Sequence, residues 1–374
     1  MTVASQTCVV RPVCSGEAVA ITISPSPALD TKLALHPTVV KLRAPSGQWW
    51  FTPKAQARAP ACRTAWSRTA QRGASAKISP MLRLVLPKGS LERATLQLFA
   101  DADLAVNRSS DVAYRATIAD PRIDEVRILR PQEIPVYVAD GLFDLGITGR
   151  DCIEERGSEV VTLGELSYSK ATANPAQVVL AVAHDSPAHS LADLANLPGR
   201  LRISSEYPEL TRRALAAHGV EADIALSYGA TEAKVPDIAD AVVDMTETGG
   251  ALRAAGLRVI EILLVSHTEL IANPAAAADP DKRHAMEQIL TLLQGTLEAR
   301  GKVLVKLNVS AENLDSVLGV LPSMRAPTVS ELSGGGAFAL EAVVAKSDIN
   351  VLIPALRDHG ASDILEIPLS KIVH

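Results

Sequence analysis

Residues Asp240 to Leu252, DAVVDMTETGGAL, allow few ways for this chain to fold. Ala241-Val242-Val243 is an apolar run of the length of a buried strand, and Asp244 closes it. Thr246, Glu247, Thr248, Gly249 and Gly250 make a turn, and Ala251 and Leu252 open a helix-forming stretch. A strand that turns sharply into a helix gathers several backbone N–H groups around one point. The helix dipole adds partial positive charge there, so the turn suits a phosphate. Carboxylates just before it would repel a phosphate unless the ligand also brings sugar hydroxyls or a metal ion. Phosphate joined to ribose meets every condition. A plain strand–turn–helix with a glycine-rich link fits the same residues, and on this segment alone both readings stand.

The theme occurs twice. Asp144-Leu-Gly-Ile-Thr148-Gly149-Arg-Asp151 is again a short apolar strand, a Thr-Gly turn and an acidic helix start. Two such strand ends suggest two walls of one cleft. From residue 81 onward strands and helices alternate, which predicts α/β architecture. Leu82–Leu86 reads as a strand, with Ser90 as the cap of the helix after it. Val126–Leu129 and the run before Thr148 continue one lobe, residues 81–170. Strands at Val178–Ala183, Leu201–Ser204, Ala222–Ser227 and Ala241–Asp244 build a second lobe, 171–259. Residues 260–275 return to the first lobe.

Asn273-Pro274 and Asp279-Pro280 break the pattern, and a different unit follows over 281–374. Its strands and helices, one helix capped by Ser310, run βαββαβ, the order of a ferredoxin-like domain. It offers a sheet with one open face and no evident catalytic group, as a regulatory or assembly module would; a dimerisation domain without ligand is the alternative.

The chain's charge and composition change near residue 80. Residues 1–80 hold 10 Lys/Arg against 2 Asp/Glu, and the remainder 27 against 40, within a net charge of −5. The basic segment also holds all three tryptophans (Trp49, Trp50, Trp66) and Cys8, Cys14 and Cys62. It reads as a disordered basic arm or as sequence upstream of a true start at Met81, ahead of a transit peptide. Cys152 is alone in the remaining body, which fits a reducing compartment, and reads as a small buried hydrophobe rather than a nucleophile. No run of 18 apolar residues predicts a membrane span, and no nucleic-acid partner is expected.

These motifs together resemble the long-form ATP phosphoribosyltransferases. LRLVLPKGSL (82–91), LRPQEIPVYV (129–138), DLGITGRD (144–151), YPELT from Tyr207, GATEAKVPDIADAVVDMTETGGAL (229–252) and LIAN (270–273) carry the likeness, in order, over nearly the whole chain beyond Met81. The resemblance implies a two-lobed, periplasmic-binding-protein-like catalytic body with a ferredoxin-like (ACT-like) regulatory domain. It also implies the first reaction of histidine biosynthesis. There the phosphoribosyl group of phosphoribosyl pyrophosphate (PRPP) passes to N1 of ATP with Mg²⁺, and pyrophosphate leaves. Histidine inhibition, assembly as dimers and hexamers, and a cytoplasmic setting follow from the same likeness.

Carried onto this sequence, Thr246, Glu247, Thr248, Gly249, Gly250, Ala251 and Leu252 match the phosphoribosyl loop. Asp240 and Asp244 flank the strand entering it, Asp244 being the better candidate for ribose hydroxyls or the metal. The family usually has Thr where Ala251 stands; the missing hydroxyl removes a hydrogen bond to a charged group, worth about 1.5–3 kcal/mol. Lys88 and Arg130, each just past a strand end, are the expected catalytic cations. Thr148, Gly149 and Asp151 would form the opposite wall, with Glu232 from the second lobe. Asn308, Met324, Ala326, Thr328 and Val343 fall where the family places effector contacts. No Ser–His–Asp or Cys–His arrangement is evident, and sugar transfer needs none: positive charge at the anomeric carbon is met by fixed dipoles and metal.

Two rivals share parts of this plan. A solute-binding protein has two lobes but should carry an export signal and needs no phosphoribosyl loop. Prephenate dehydratase pairs such a body with a ferredoxin-like tail, yet its Thr-Arg-Phe and Glu-Ser-Arg-Pro signatures are missing from this sequence.

Overall fold

The computed structural model describes residues 7–10 and 19–22 (as backbone), 81–168, 175–324 and 326–374. The chain divides into two units, Met1–Gln71 and Arg72–His374. In the first, β1 (Thr7–Val10) pairs antiparallel with β2 (Val19–Thr22). The rest of the basic segment, with its expected character as a disordered arm or leader, lies outside the described residues.

The second unit opens with β3 (Leu82–Pro87), where Leu82, Leu84 and Leu86 point to one face and Val85 to the other. Then come α1 (Glu92–Asp101), β4 (Val106–Arg108), β5 (Arg115–Ile118), β6 (Ile123–Leu129), α2 (Ile134–Ala139), β7 (Leu145–Gly149), α3 (Arg150–Arg156) and β8 (Val161–Glu165). These strands, with β14 (Thr268–Ala272), form a sheet in the order β4-β5-β6-β3-β7-β14-β8. Its centre, β6-β3-β7, is parallel. Leu98 and Phe99 of α1 and Met286, Ile289 and Leu293 of α7 (Pro280–Ala299) cover one face, while Ile134, Val138 and Ile153 cover the other.

The second lobe contains β9 (Ala176–Ala183), β10 (Leu201–Ser205), α4 (Pro208–Ala217), β11 (Ala222–Leu226), β12 (Ala241–Thr246), α5 (Gly250–Ala254) and β13 (Leu257–Ser266), with sheet order β11-β10-β12-β9-β13. The return to the first lobe comes later than residue 260. β13 stays paired with β9 through Ser266, and the crossing falls at His267, before β14 pairs with β7 and β8. Hydrophobic pattern marks strands but not their partners.

Asn273 caps α6 (Pro274–Ala278), accepting from the Ala276 amide at 2.9 Å, and Asp279 caps α7 through the amides of Asp281 and Lys282. The Asn-Pro and Asp-Pro pairs therefore end one element and begin the next. Beyond α7, β15 (Lys302–Ser310), α8 (Leu314–Val320), β16 (Thr328–Glu331), β17 (Ala337–Ala345), α9 (Ile349–Asp358) and β18 (Ala361–Pro368) run βαββαβ. The order β16-β17-β15-β18, antiparallel throughout, is that of a ferredoxin-like sheet with both helices on one face.

Two expected caps are not made. α1 starts at Glu92 behind Leu91, with no side-chain cap from Ser90. The Glu92 amide is already bound to the Gly89 carbonyl, closing the turn. Ser310 is the last residue of β15; an extra turn, Asn313 N to Ser310 O, delays α8 to Leu314.

After β18 the chain doubles back onto α7. The Ile372 amide donates to the Gly295 carbonyl at 2.8 Å, and Lys371 pairs with Asp103 of the first lobe. Gly295 is required by this close approach: a Cβ there would lie 2.9 Å from Val373 Cγ2 and 3.2 Å from the Ile372 carbonyl oxygen.

Candidate active site

The carboxyl ends of β7 and β12 face a cleft bounded by the β13–β14 crossing, the place where open α/β sheets hold ligands. It contains two adjoining cavities. One, of about 460 Å³, is lined by Gly149 and Asp151 from the first lobe, Asp244, Thr246 and Glu247 from the second, and the crossing residue His267. The other, of about 830 Å³, takes Arg130 and Arg156 from the first lobe and Leu226 and Tyr228 from the second. Gln132, Cys152, Glu206 and Tyr207 line both.

The turn after β12 is held by its own residues. Thr246 Oγ1 accepts from the Gly249 amide at 2.8 Å, and Gly249 sits at φ +69°, a left-handed conformation that favours glycine. Gly250 then begins α5. Thr248, Gly250 and Ala251 are exposed, whereas Leu252 is 3% exposed and packs with Val242 and Leu257, so its side chain belongs to the core.

Asp244 and Asp240 stand at opposite ends of β12. Asp240 is clamped by Arg202, at 2.7 Å to the guanidinium and 2.8 Å to the amide, and the Arg202 side chain holds its carboxyl below the usual aspartate range. This pair lies away from the cleft and serves the strand. Asp244 accepts from the Met245 amide at 2.7 Å and makes no ion pair among the described residues. Burial pushes its carboxyl up; the Met245 amide opposes this, Glu232 adds to it and Lys234 partly offsets it. Glu206 is likewise pushed up, first by burial and then by Asp244. The Lys234 ammonium lies within 3.2 Å of Ser204 Oγ and 2.5 Å of Ser227 Oγ. Three carboxylates around one partly engaged lysine make a locally anionic wall.

The other wall is committed to structure. Asp151 is 6% exposed, accepting from Ser266 Oγ at 2.6 Å and from the Tyr207 phenol at 3.1 Å, so it joins both lobes and the crossing. A Cβ on Gly149 would overlap Asp151 Oδ1, and that contact fixes glycine there. Thr148 is fully buried, its hydroxyl donating to the Pro131 carbonyl at 2.8 Å. Cys152 is a buried free thiol, pushed well up by burial and then by Asp151, which agrees with an inert hydrophobe. Nearby, the Glu155 carboxylate of α3 accepts from the Glu209 and Leu210 amides at 3.0 and 2.9 Å, closing the first turn of α4.

Of the two expected cations, Arg130 is exposed and lines the larger cavity, within reach of Gly89. Lys88 stands 4.6 Å from the centre of the Tyr114 ring, a cation–π contact at the turn after β3. Glu232 acts on Asp244 and Glu206 through its charge. Sequence patterns did not single out Glu206, Gln132, Ser266, His267 or Tyr228. For Glu206 a signal existed, an acid at the carboxyl end of β10 just before Tyr207-Pro208. The crossing residues gave none.

In the tail, Asn308 donates to the Asp363 carboxylate at 2.9 Å, and Met324, Ala326 and Thr328 are exposed at or before edge strand β16. Val343 lies in a cross-strand row with Leu304 and Ile367 on the sheet face away from the helices. None of the five belongs to the core.

A cleft between two α/β lobes, followed in the chain by a ferredoxin-like domain, is a plan that several ligand-binding proteins share, and the likeness to known proteins gives the class, a glycosyltransferase. Residues 130–295 match the family model described as ATP phosphoribosyltransferase, and 299–371 match that of the HisG C-terminal domain. An ATP phosphoribosyltransferase of Desulforudis audaxviator is 46% identical over 294 residues, covering 78% of this chain and 99% of the relative. One of Pelotomaculum thermopropionicum is 44% identical over 292 residues, with the same coverage of 78% and 99%. Among solved structures, the ATP phosphoribosyl transferase (HisG:HisZ) complex of Thermotoga maritima aligns with TM-score 0.50 and 25% identity, over 58% of this chain and 99% of that one. This chain belongs to the ATP phosphoribosyltransferase family.

Proposed function

We propose that the enzyme transfers the phosphoribosyl group of PRPP to N1 of ATP and releases pyrophosphate, the opening step of histidine biosynthesis. The observation that carries this reading is Asp244. It is a carboxylate without a cation partner among the described residues, raised by burial, in the same cavity as the Thr246–Glu247 turn. Such a group has a use if a ligand brings hydroxyl donors or positive charge while the adjoining turn takes its phosphate.

In this reading the amides after Thr246 hold the 5′-phosphate and Asp244 receives the ribose hydroxyls. Arg130 faces the phosphates of ATP in the larger cavity, and Lys88 adds positive charge from the turn after β3. The C1′–O bond to pyrophosphate breaks with its electron pair leaving on pyrophosphate, and the N1 lone pair closes on C1′. No group of three His, Cys, Asp or Glu arranged for a metal occurs among the described residues. That suits Mg²⁺ held by one carboxylate, Asp244, together with substrate phosphates and water. When bound, Mg²⁺ neutralises the charge that develops on the leaving pyrophosphate.

The tail is proposed to bind histidine around Asn308, Met324, Ala326, Thr328 and Val343, and to inhibit at a distance through a coupling of about 1–3 kcal/mol. Its open sheet face, with Leu365 and Ile367 exposed, is proposed to pack against further copies in dimers and hexamers. No described helix is long and apolar enough to cross a membrane, and the enzyme is proposed to work in the cytoplasm.

Ultraviolet absorbance of N1-ribosylated adenine, followed on mixing ATP, PRPP and Mg²⁺ with pyrophosphatase, tests the reaction directly. An unchanged spectrum would remove it. Repeating the assay with histidine tests the tail; equal rates with and without it would remove the regulatory role.

A further inference from the structure

The two cavities of the cleft meet at four side chains, and three of them are unsuited to proton chemistry. The Tyr207 phenol donates to Asp151, the Cys152 thiol is buried against the same carboxylate, and Gln132 is a neutral amide. The fourth is Glu206. Its side chain is open to the cleft, and among the described residues it makes no ion pair and its one side-chain hydrogen bond is a long 3.5 Å one from the Thr231 hydroxyl. Its amide donates to the Val243 carbonyl at 3.3 Å, which sets it beside the strand end that carries Asp244.

We infer that Glu206 is a catalytic residue: it accepts a hydrogen bond from the exocyclic 6-amino group of the adenine ring and takes that group's proton as N1 bonds to the sugar. The inference rests on the phosphoribosyl-transfer reading above and names the acceptor's recognition in that same cleft.

The geometry follows from how the cavities are arranged. The sugar phosphate occupies the smaller cavity with Asp244 and the Thr246 turn, and the nucleotide occupies the larger one with Arg130, Arg156 and the ring of Tyr228, which is 93% exposed. A base entering from the larger side presents its reacting edge at the junction. On adenine that edge carries N1 and the 6-amino group side by side, so a carboxylate at the junction meets an N–H donor. When the N1 lone pair forms the bond to C1′ and pyrophosphate leaves with the other pair, the ring becomes cationic and its amino protons acidic. One N–H proton passes to the Glu206 carboxylate, the N–H pair becomes the C6=N6 bond, and the C6=N1 π pair returns to N1, leaving a neutral imine. Glu206 then returns the proton to water.

The charges around Glu206 suit this use. Burial and Asp244 push its carboxyl up, Glu232 adds to this, and the Thr231 hydroxyl and Lys234 limit the rise. The Tyr207 phenol beside it is itself pushed far up and stays neutral, and Arg130 is the cation across the larger cavity.

Glu206→Gln keeps the shape and removes the base. The expected result is a fall in kcat of about 100-fold, with PRPP affinity by calorimetry held within about twofold and thermal unfolding unchanged. The acid limb of kcat/KM for ATP, set by Glu206 together with Asp244, should change shape in Glu206→Gln and regain its wild-type form in Glu206→Asp. The preference for ATP over N6,N6-dimethyl-ATP, which keeps the N1 lone pair but has no 6-amino proton to give, should shrink in Glu206→Gln. Wild-type kcat, acid limb and nucleotide preference in that variant would overturn the assignment while leaving the phosphoribosyl reading intact. A wild-type enzyme that forms no product from ATP and PRPP would overturn both.

Discussion

Asp151 and Asp244 follow the same local pattern, an apolar strand, a short turn and a helix, and both read as walls of a cleft. In the folded chain they do different work. Asp151 receives hydrogen bonds from Tyr207 and Ser266 and is buried between the lobes. Among the described residues Asp244 accepts a hydrogen bond only from the neighbouring Met245 amide, while Glu206, Glu232 and Lys234 act on it through charge. A carboxylate with its acceptor sites filled by the protein braces the fold. One left short of donors, and raised by burial, is ready for a ligand.

That contrast can be broken experimentally, beginning with the largest effect. Asp244→Asn should lower kcat/KM by about 100- to 1,000-fold, the loss seen when a fixed polar group at a reacting centre is removed. Near-wild-type kinetics would place the ligand elsewhere. Asp151→Ala should instead cost about 3 kcal/mol of stability, because two buried hydroxyls lose their acceptor. The measurement is a denaturant midpoint, and an unchanged midpoint would deny Asp151 its bracing role. Arg130→Ala and Lys88→Ala should each lower kcat/KM by more than about tenfold without unfolding the enzyme. Wild-type rates in both would remove them from the mechanism.

The smallest effect concerns pH and the two ends of β12. Asp244 has a raised folded pKa, so the charge it carries above that value opposes folding. The stability it allows is complete below the ordinary aspartate pKa of 3.8 and is lost as pH rises through the raised value. Asp244→Asn should therefore raise Tm at pH 7 and leave it unchanged below about pH 4. Asp240 has a lowered folded pKa, so its contribution is present above 3.8 and is lost as pH falls through the lowered value. Asp240→Asn should lower Tm at pH 7 and converge with wild type in acid. The same sign for both variants would sink the distinction.

Much of the fold was legible because periodicity is local. The alternating lobes, the turn after β12 and the βαββαβ tail each announce themselves within a dozen residues. The role of Asp151 was not legible, since its partners Tyr207 and Ser266 lie 56 and 115 residues away. Ser90 and Ser310 have the right chemistry for caps, but adjoining turns decide where each helix begins. Leu252 matches the ligand loop in sequence yet packs inward, because the first turn of α5 points that position at Val242. Glu206 needed the two cavities to be seen together.

Glu155 reaches out of α3 to occupy the leading amides of α4. One flank of the cleft is thereby fastened before any substrate arrives. Affinity for nucleotide and sugar phosphate is not spent drawing that flank shut, because its ordering cost was met during folding.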